Sequence, residues 1–190
     1  QTPRDVLPDF LQKVSAAGVT RFQIHARKAW LQGLSPKENR DIPPLDYDLV
    51  YQMKREFPHL HLSINGGVTS LDQVRAHLAA GMDGVMIGRV AYNAPAGVLL
   101  DADQEIFGDK GRKSSEQIVH EMIPYIRQHL QDGGRLNQVT RHMLGLFNSQ
   151  PGARQWRRHL SENATGVSAG ADVLLEALDA MHQTAAKMAS

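Results

Sequence analysis

Two glycine-bearing turns stand at the ends of successive apolar runs: Asn65-Gly66-Gly67 after Leu60–Ile64, and Gly88-Arg89 after Gly84–Ile87. Glycine allows close backbone approach to a ligand and turn conformations that a side chain forbids. Consecutive exposed amides form an anion nest, and a guanidinium at Arg89 would add a charged, directional contact. The chemistry open to this pattern is the holding of a phosphate group. Spacing does not say which: a flavin, a sugar phosphate and a nucleotide all fit, and turns that bind nothing also use glycine. His25 follows an alternating stretch, Val19–Ile24, with Phe22 and Ile24 set against Arg21 and Gln23, and a histidine there serves either as an ordinary hydrogen-bonding residue or in catalysis. His25-Ala26-Arg27-Lys28 opens a segment that also carries Trp30, Lys37 and Arg40. Cations beside an aromatic surface suit RNA; the alternative is a solvated loop with Trp30 packed inward. From Arg127 to Leu160, six arginines (Arg127, Arg135, Arg141, Arg154, Arg157, Arg158) stand against Asp132 alone, a local charge of +5. That excess suits a polyanion or, equally, a solvated helical face.

The elements that position these residues are legible in the periodicity. Apolar positions Val6, Leu7, Phe10, Leu11 and Val14 predict a helix opening near Asp5 and closed by Gly18. Val19–Ile24 reads as a strand, and a polar connection of about twenty residues follows, from His25 to Leu45. Asp46 caps a helix carrying Leu49, Val50, Met53 and Phe57 and stopped by Pro58. Then come a strand, the first glycine turn, a helix with Ser70–Gln73 as capping box and Gly81 as its stop, and a third strand. Strands alternating with helices imply βαβ units and a parallel sheet. After Phe107 the pattern changes. Gly108–Gly111 reads as a linker, Ser114–Gln117 as a second capping box, and helices are expected over 115–131, 136–148, 151–162 and 171–188.

The 190 residues are 42% hydrophobic and 22% charged, with a net charge of only +1, an ordinary globular composition. No run of about eighteen apolar residues exists, so no membrane span is expected. The first residues, QTPRDVLPDF, lack the basic and apolar segments of a signal peptide. They also lack an initiator Met, which suggests that the chain begins partway through something larger. With no cysteine, disulfides, thiolate metal sites and a cysteine nucleophile or acid are excluded within the chain. The histidines at 59, 61, 77, 120 and 182 show no metal-ligand spacing. Three strands would leave a parallel sheet with open edges. A (β/α)₈ barrel typically needs about 250 residues and often holds phosphate after its last two strands. If the α/β part is barrel, it is the last part of one.

The segments HARKAWLQGLSPKENR, IPPLDY, SINGGV, DGVMIGR, TRHMLGLFN and PGARQWRRHLSEN closely resemble the tRNA-dihydrouridine synthases of subfamily A. The likeness runs from about Asp5 to about Asn163. It implies an α/β plus all-α protein: a partial TIM-barrel, FMN-binding domain over 1–107 and a helical tRNA-binding domain over 113–190. It implies an oxidoreductase that reduces D-loop uridines of tRNA to 5,6-dihydrouridine, with NADPH as reductant through FMN. A cytoplasmic protein, monomeric when intact and without a metal, is expected. Carried over by residue, the resemblance assigns His25 to the flavin, Asn65, Gly66 and Gly67 to one phosphate loop, and Gly88 and Arg89 to the other. It assigns Arg27, Lys28, Lys37, Asn39 and Arg40 to a loop facing tRNA, and Arg154, Arg157 and Arg158 to the RNA surface of the helical domain. The family's general acid is a cysteine upstream of these motifs and has no counterpart here; its upstream flavin-contacting Lys and Gln and the first barrel strands are missing too. A fragment, inactive by itself, is therefore expected. Two other readings stay open: an RNA-binding fragment without flavin, and a sugar-phosphate barrel, which accounts for the glycine turns but not for the arginine-rich helices.

Overall fold

A computed structural model describes residues 2–30 and 32–189. The chain forms two compact units that divide between Gly88 and Arg89. The expected boundary lay further on, at 107–113. Segment 89–107 goes with the later residues because its contacts are there. The Asn93 carbonyl accepts from the Asn148 amide and lies against Gly145, and Asp101 pairs with Arg112.

In the first unit, α1 (Pro3–Ala16) starts two residues before Asp5. The reason is Thr2, whose amide donates to the Asp5 carboxylate at 2.8 Å, followed by Pro3 with its helix-ready φ. Strand β1 (Arg21–His25) leads into the long connection, whose regular structure among the described residues is one 3₁₀ turn, Glu38–Arg40. Asp46 does cap α2 (Tyr47–Glu56), accepting from the Leu49 amide at 3.0 Å. Next come β2 (His61–Asn65), α3 (Leu71–Ala79) and β3 (Gly84–Met86). The three strands are parallel in the order β1-β2-β3, with His25 level with Asn65 and Asn65 level with Met86. This register brings the functional candidates of three separate strands to one edge of the sheet. Central β2 is buried along Leu62, Ser63 and Ile64, packed with Leu11, Val50, Met53 and Leu60. Each such aliphatic side chain contributes about 2 kcal/mol on burial.

The box at Ser70 is only half made. Ser70 accepts the Gln73 amide at 3.3 Å, but the Gln73 side chain accepts from the Thr69 amide at 2.7 Å instead of returning to Ser70. An ion pair that periodicity does not reveal fixes the start of β2. Asp83 accepts from the Leu62 amide at 2.8 Å and from Lys54 Nζ at 2.6 Å. Burial raises the Asp83 pKa, but the hydrogen bonds from Lys54 and Leu62 and the Lys54 charge outweigh it, and the net direction is down.

The second unit is helical: α4 (Arg89–Asn93), α5 (Leu99–Phe107), α6 (Ser115–Gln131), α7 (Leu136–Thr140), α8 (Ala153–Asn163) and α9 (Asp172–Ala189). The Ser114–Gln117 box at the start of α6 is complete. The helix expected over 136–148 is not: α7 ends at Thr140 and a run of turns continues to residue 152. Within that run Gly145 lies against the Asn93 carbonyl, where a Cβ would not fit. The core centres on fully buried Trp156. Its indole donates to the Met143 carbonyl at 3.1 Å, and Phe147 meets its ring edge-on at 4.8 Å. Leu136, Leu160, Leu174 and Ala177 close around it. No described helix is long and apolar enough to cross a membrane.

Candidate functional site

The ends of the three strands are laced together by side chains. His25 Nδ1 lies 2.5 Å from Asn65 Oδ1, and Asn65 Nδ2 donates to the Met86 carbonyl at 2.8 Å. The second bond orients the amide, since only its nitrogen can donate to a carbonyl. Asn65 therefore presents oxygen to His25, Nδ1 carries the proton, and Nε2 is left as the acceptor of an exposed ring. One asparagine sets the tautomer of the histidine and ties β1, β2 and β3 into a single rim.

The turn after Asn65 uses glycine for two reasons. Gly66 and Gly67 have φ of +121° and +69°, values that side chains disfavour. A Cβ on either would also come within 2.8 Å and 2.6 Å of Leu45. Leu45 belongs to the end of the long connection, pinned by an antiparallel bridge to Arg27 and by an Asp46 amide bond to the Ala26 carbonyl at 2.8 Å. Gly88 differs. It has no positive φ, and a Cβ there would meet nothing within 4 Å. Neither backbone conformation nor packing among the described residues demands glycine at this position. Among the described residues, the amides of Gly67 and Gly88 have no hydrogen-bond partner.

The candidate RNA loop proves to be internally bonded. Arg27 directs its guanidinium to the carbonyls of Asp41, at 2.9 Å, and Pro43, while its Nε is buried without a partner among the described residues. Asn39 accepts from the Trp30 amide at 2.6 Å and donates to the carbonyls of Trp30, Leu34 and Ser35. Both residues shape the loop. Lys28, Lys37 and Arg40 are exposed, and Trp30 is 43% exposed at the rim of an apolar cavity of about 530 Å³. That cavity is lined by Val6 and Phe10 of α1 and Ile24 of β1, with His25 and Lys28 beside Trp30.

Sequence reasoning treated His77 as unremarkable, yet it is 5% exposed in the core of the first unit. Tyr51 Oη lies 2.7 Å from its Nδ1, and the Tyr47 ring meets it edge-on at 4.7 Å. Burial lowers its pKa. Tyr47 in turn donates to the Gly66 carbonyl at 2.5 Å. The available signal was spacing: Leu71, Val74 and His77 fall on one face of α3, where an apolar residue would be expected.

In the second unit, α8 carries the three arginines assigned to RNA, all exposed. Arg157 donates to Asn148 Oδ1 at 2.7 Å, and Arg158 pairs with Glu162 at 2.8 Å. Nearby in sequence, Arg141 donates to His142 Nε2 at 3.0 Å, and the other ring nitrogen of His142 lies 3.0 Å from the Tyr92 hydroxyl. Arg89 opens the second unit as the first residue of α4.

A parallel sheet whose strands end in one polar rim, with a glycine turn after the central one, defines an α/β unit whose candidate site is the carboxyl edge of the strands. The family model for dihydrouridine synthase (Dus) matches residues 4–186, and the chain belongs to that family. It is 57% identical over 175 residues to the tRNA-dihydrouridine(20/20a) synthase of Shewanella oneidensis, covering 92% of this chain and 52% of the relative. It is 56% identical over 180 residues to the proteins of that name from Vibrio vulnificus and Escherichia coli strain K12, covering 94% of this chain and 55% and 52% of theirs. The chain thus spans about half the length of these curated relatives.

Proposed function

We propose that this chain forms the phosphate-holding and RNA-contacting part of an FMN-dependent tRNA-dihydrouridine synthase. The observation that carries the reading is the rim itself. In a member of this family, Asn65-Gly66-Gly67 and Gly88 follow adjacent parallel strands, and among the described residues the amides of Gly67 and Gly88 have no partner. Those residues fit the phosphate of FMN, which backbone amides can hold as they hold other anions. Arg89 would add its charge, and His25 would offer its Nε2 edge to the flavin. The three strands would be the last of a TIM barrel. When bound and reduced by NADPH, FMN supplies hydride for uridines of the tRNA D loop, and the relatives' name points to positions 20 and 20a. The proton that completes the reduction must come from an acid. The resemblance makes that acid a cysteine, none is among these 190 residues, and the chain by itself should not turn over. Lys28, Lys37 and Arg40 would face tRNA from the long loop, with Arg27 and Asn39 holding the loop's shape. Arg154, Arg157 and Arg158 would meet the RNA backbone from α8. A cytoplasmic, monomeric enzyme is the setting we propose for the intact protein.

A visible spectrum of purified protein, followed by tRNA titration with and without FMN, tests this. Yellow, flavin-loaded protein that binds tRNA is expected. Colourless protein that binds tRNA with a steep salt dependence would favour an RNA-binding role without flavin. Absence of tRNA affinity at low salt would sink both.

A further inference from the structure

We propose that Tyr47 is a positioning residue for the phosphate-binding turn, acting through the peptide that joins Gly66 to Gly67. The inference rests on the phosphate reading of that turn. The carbonyl of Gly66 and the amide of Gly67 belong to one planar trans peptide, so they point in opposite directions. By donating to the Gly66 carbonyl at 2.5 Å, Tyr47 fixes the plane and turns the Gly67 N–H away from itself. A peptide flip would lose the bond. With φ positive on both sides, glycine alone imposes no such choice. A carbonyl that accepts a hydrogen bond also makes the N–H of its own peptide a stronger donor. Tyr47 therefore both aims and strengthens the amide that has no partner within the described chain.

The tyrosine is itself held. Its ring meets buried His77 edge-on at 4.7 Å, and His77 is fixed by the Tyr51 hydroxyl at 2.7 Å. Tyr47 and Tyr51 lie on α2, while His77 lies on α3, the helix that follows the turn. The turn is thus braced by the helices on both sides of it in the chain. The ligand that profits is a phosphate monoester, whose oxygens accept from an aimed amide; the isoalloxazine and ribityl parts of a flavin do not need it.

The test compares FMN with riboflavin, which lacks only the phosphate, on the full chain and on Tyr47→Phe and Gly88→Ala. Phe keeps the ring against His77 and removes a single hydroxyl. Tyr47→Phe should bind FMN about fivefold more weakly, the size of one net hydrogen bond, while riboflavin affinity is unchanged. A purely structural role would move both flavins together, and that result would overturn the proposal. If Gly88→Ala loses FMN selectivity but Tyr47→Phe keeps it, the phosphate site stands and the role of Tyr47 falls. If the parent chain does not distinguish FMN from riboflavin, the phosphate reading falls and the proposal with it.

Discussion

In the unit ending at Gly88, the polar side chains near the strand ends are directed at backbone or at one another. Asn65 joins His25 to the Met86 carbonyl, Tyr47 holds the Gly66 carbonyl, and Arg27 and Asn39 hold the long loop. In the unit beginning at Arg89 the order is kept by an apolar core around Trp156, and the cations of α8 lie outside it. The first unit fixes backbone groups that point outward, using glycines at positive φ and a buried histidine. The second fixes only a scaffold and leaves long, charged side chains to adapt. A small anion needs the former, because aimed amides must be in place before it arrives. An RNA backbone, met through many charges, tolerates the latter.

The largest effect is expected at Trp156. Trp156→Ala removes a fully buried ring, its Phe147 contact and its bond to the Met143 carbonyl. A loss of about 3–5 kcal/mol is expected from such truncations. Chemical denaturation followed by circular dichroism should show the helical unit unfolding first, with the α/β unit's transition left in place. A single transition displaced as a whole would mean that the two units do not hold their stability separately. Gly67→Ala attacks the other side of the comparison. Its φ of +69° and the Leu45 Cδ1 at 2.6 Å predict a cost of about 1–3 kcal/mol. The cost should fall in the α/β unit's transition and be accompanied by loss of FMN affinity. Unchanged stability would show that the turn relaxes freely and is not the rigid rim described here.

How much of this was legible from sequence follows the same division. Local signals were read well: the Asp46 cap, the Ser114 box, three parallel strands and the glycine turn after the second of them. At Gly88-Arg89 the expected turn gives way to a helix start, with Gly88 outside the left-handed region. What failed depended on residues distant in the chain. The helix expected over 136–148 stops at Thr140, and the run that follows is held from afar, with Gly145 against the Asn93 carbonyl and the Met143 carbonyl bonded to the Trp156 indole. For Arg27 and Asn39, whose place in a motif has them face tRNA, the sequence is silent on a second set of bonds, those made within the loop. Their partners at 41, 43, 30, 34 and 35 become visible only when the loop is folded. Asp83 with Lys54 and Tyr47 with Gly66 are long-range pairs for which periodicity carries no signal.

His77 sharpens the contrast through pH. Burial depresses its pKa in the fold, so the native state keeps it neutral while the unfolded chain takes up a proton below about pH 6.5. The stability contributed by the neutral ring is present above that value and is lost progressively as pH falls toward the folded pKa. The α/β unit should weaken between pH 7 and pH 5, and His77→Gln should flatten that slope while lowering stability at pH 7. Asp83 acts in a separate window. Its folded pKa is also depressed, so its contribution is present above the unfolded carboxylate value near 4 and lost as pH falls through the folded one. A slope between pH 7 and pH 5 that survives His77→Gln would assign it to another group.

The smallest effect on stability is expected at the arginines of α8, and it separates the two units most directly. Arg154→Ala removes an exposed side chain, so unfolding should be unaffected within about 0.5 kcal/mol. Its effect on tRNA affinity should be a few-fold, and the dependence of log affinity on log salt should shrink by about one ion. Arg157 bonds a neutral amide and keeps its full charge for a phosphate, so Arg157→Ala should behave similarly. Arg158 is already paired with Glu162, and releasing it from that carboxylate offsets part of what a phosphate contact would gain. Arg158→Ala should therefore lower the salt slope least of the three. Equal slopes for all three variants and the parent would remove this face of α8 from the RNA surface. A graded loss would show that charge left unpaired on a stable helix, and not a shaped pocket, is what the helical unit contributes.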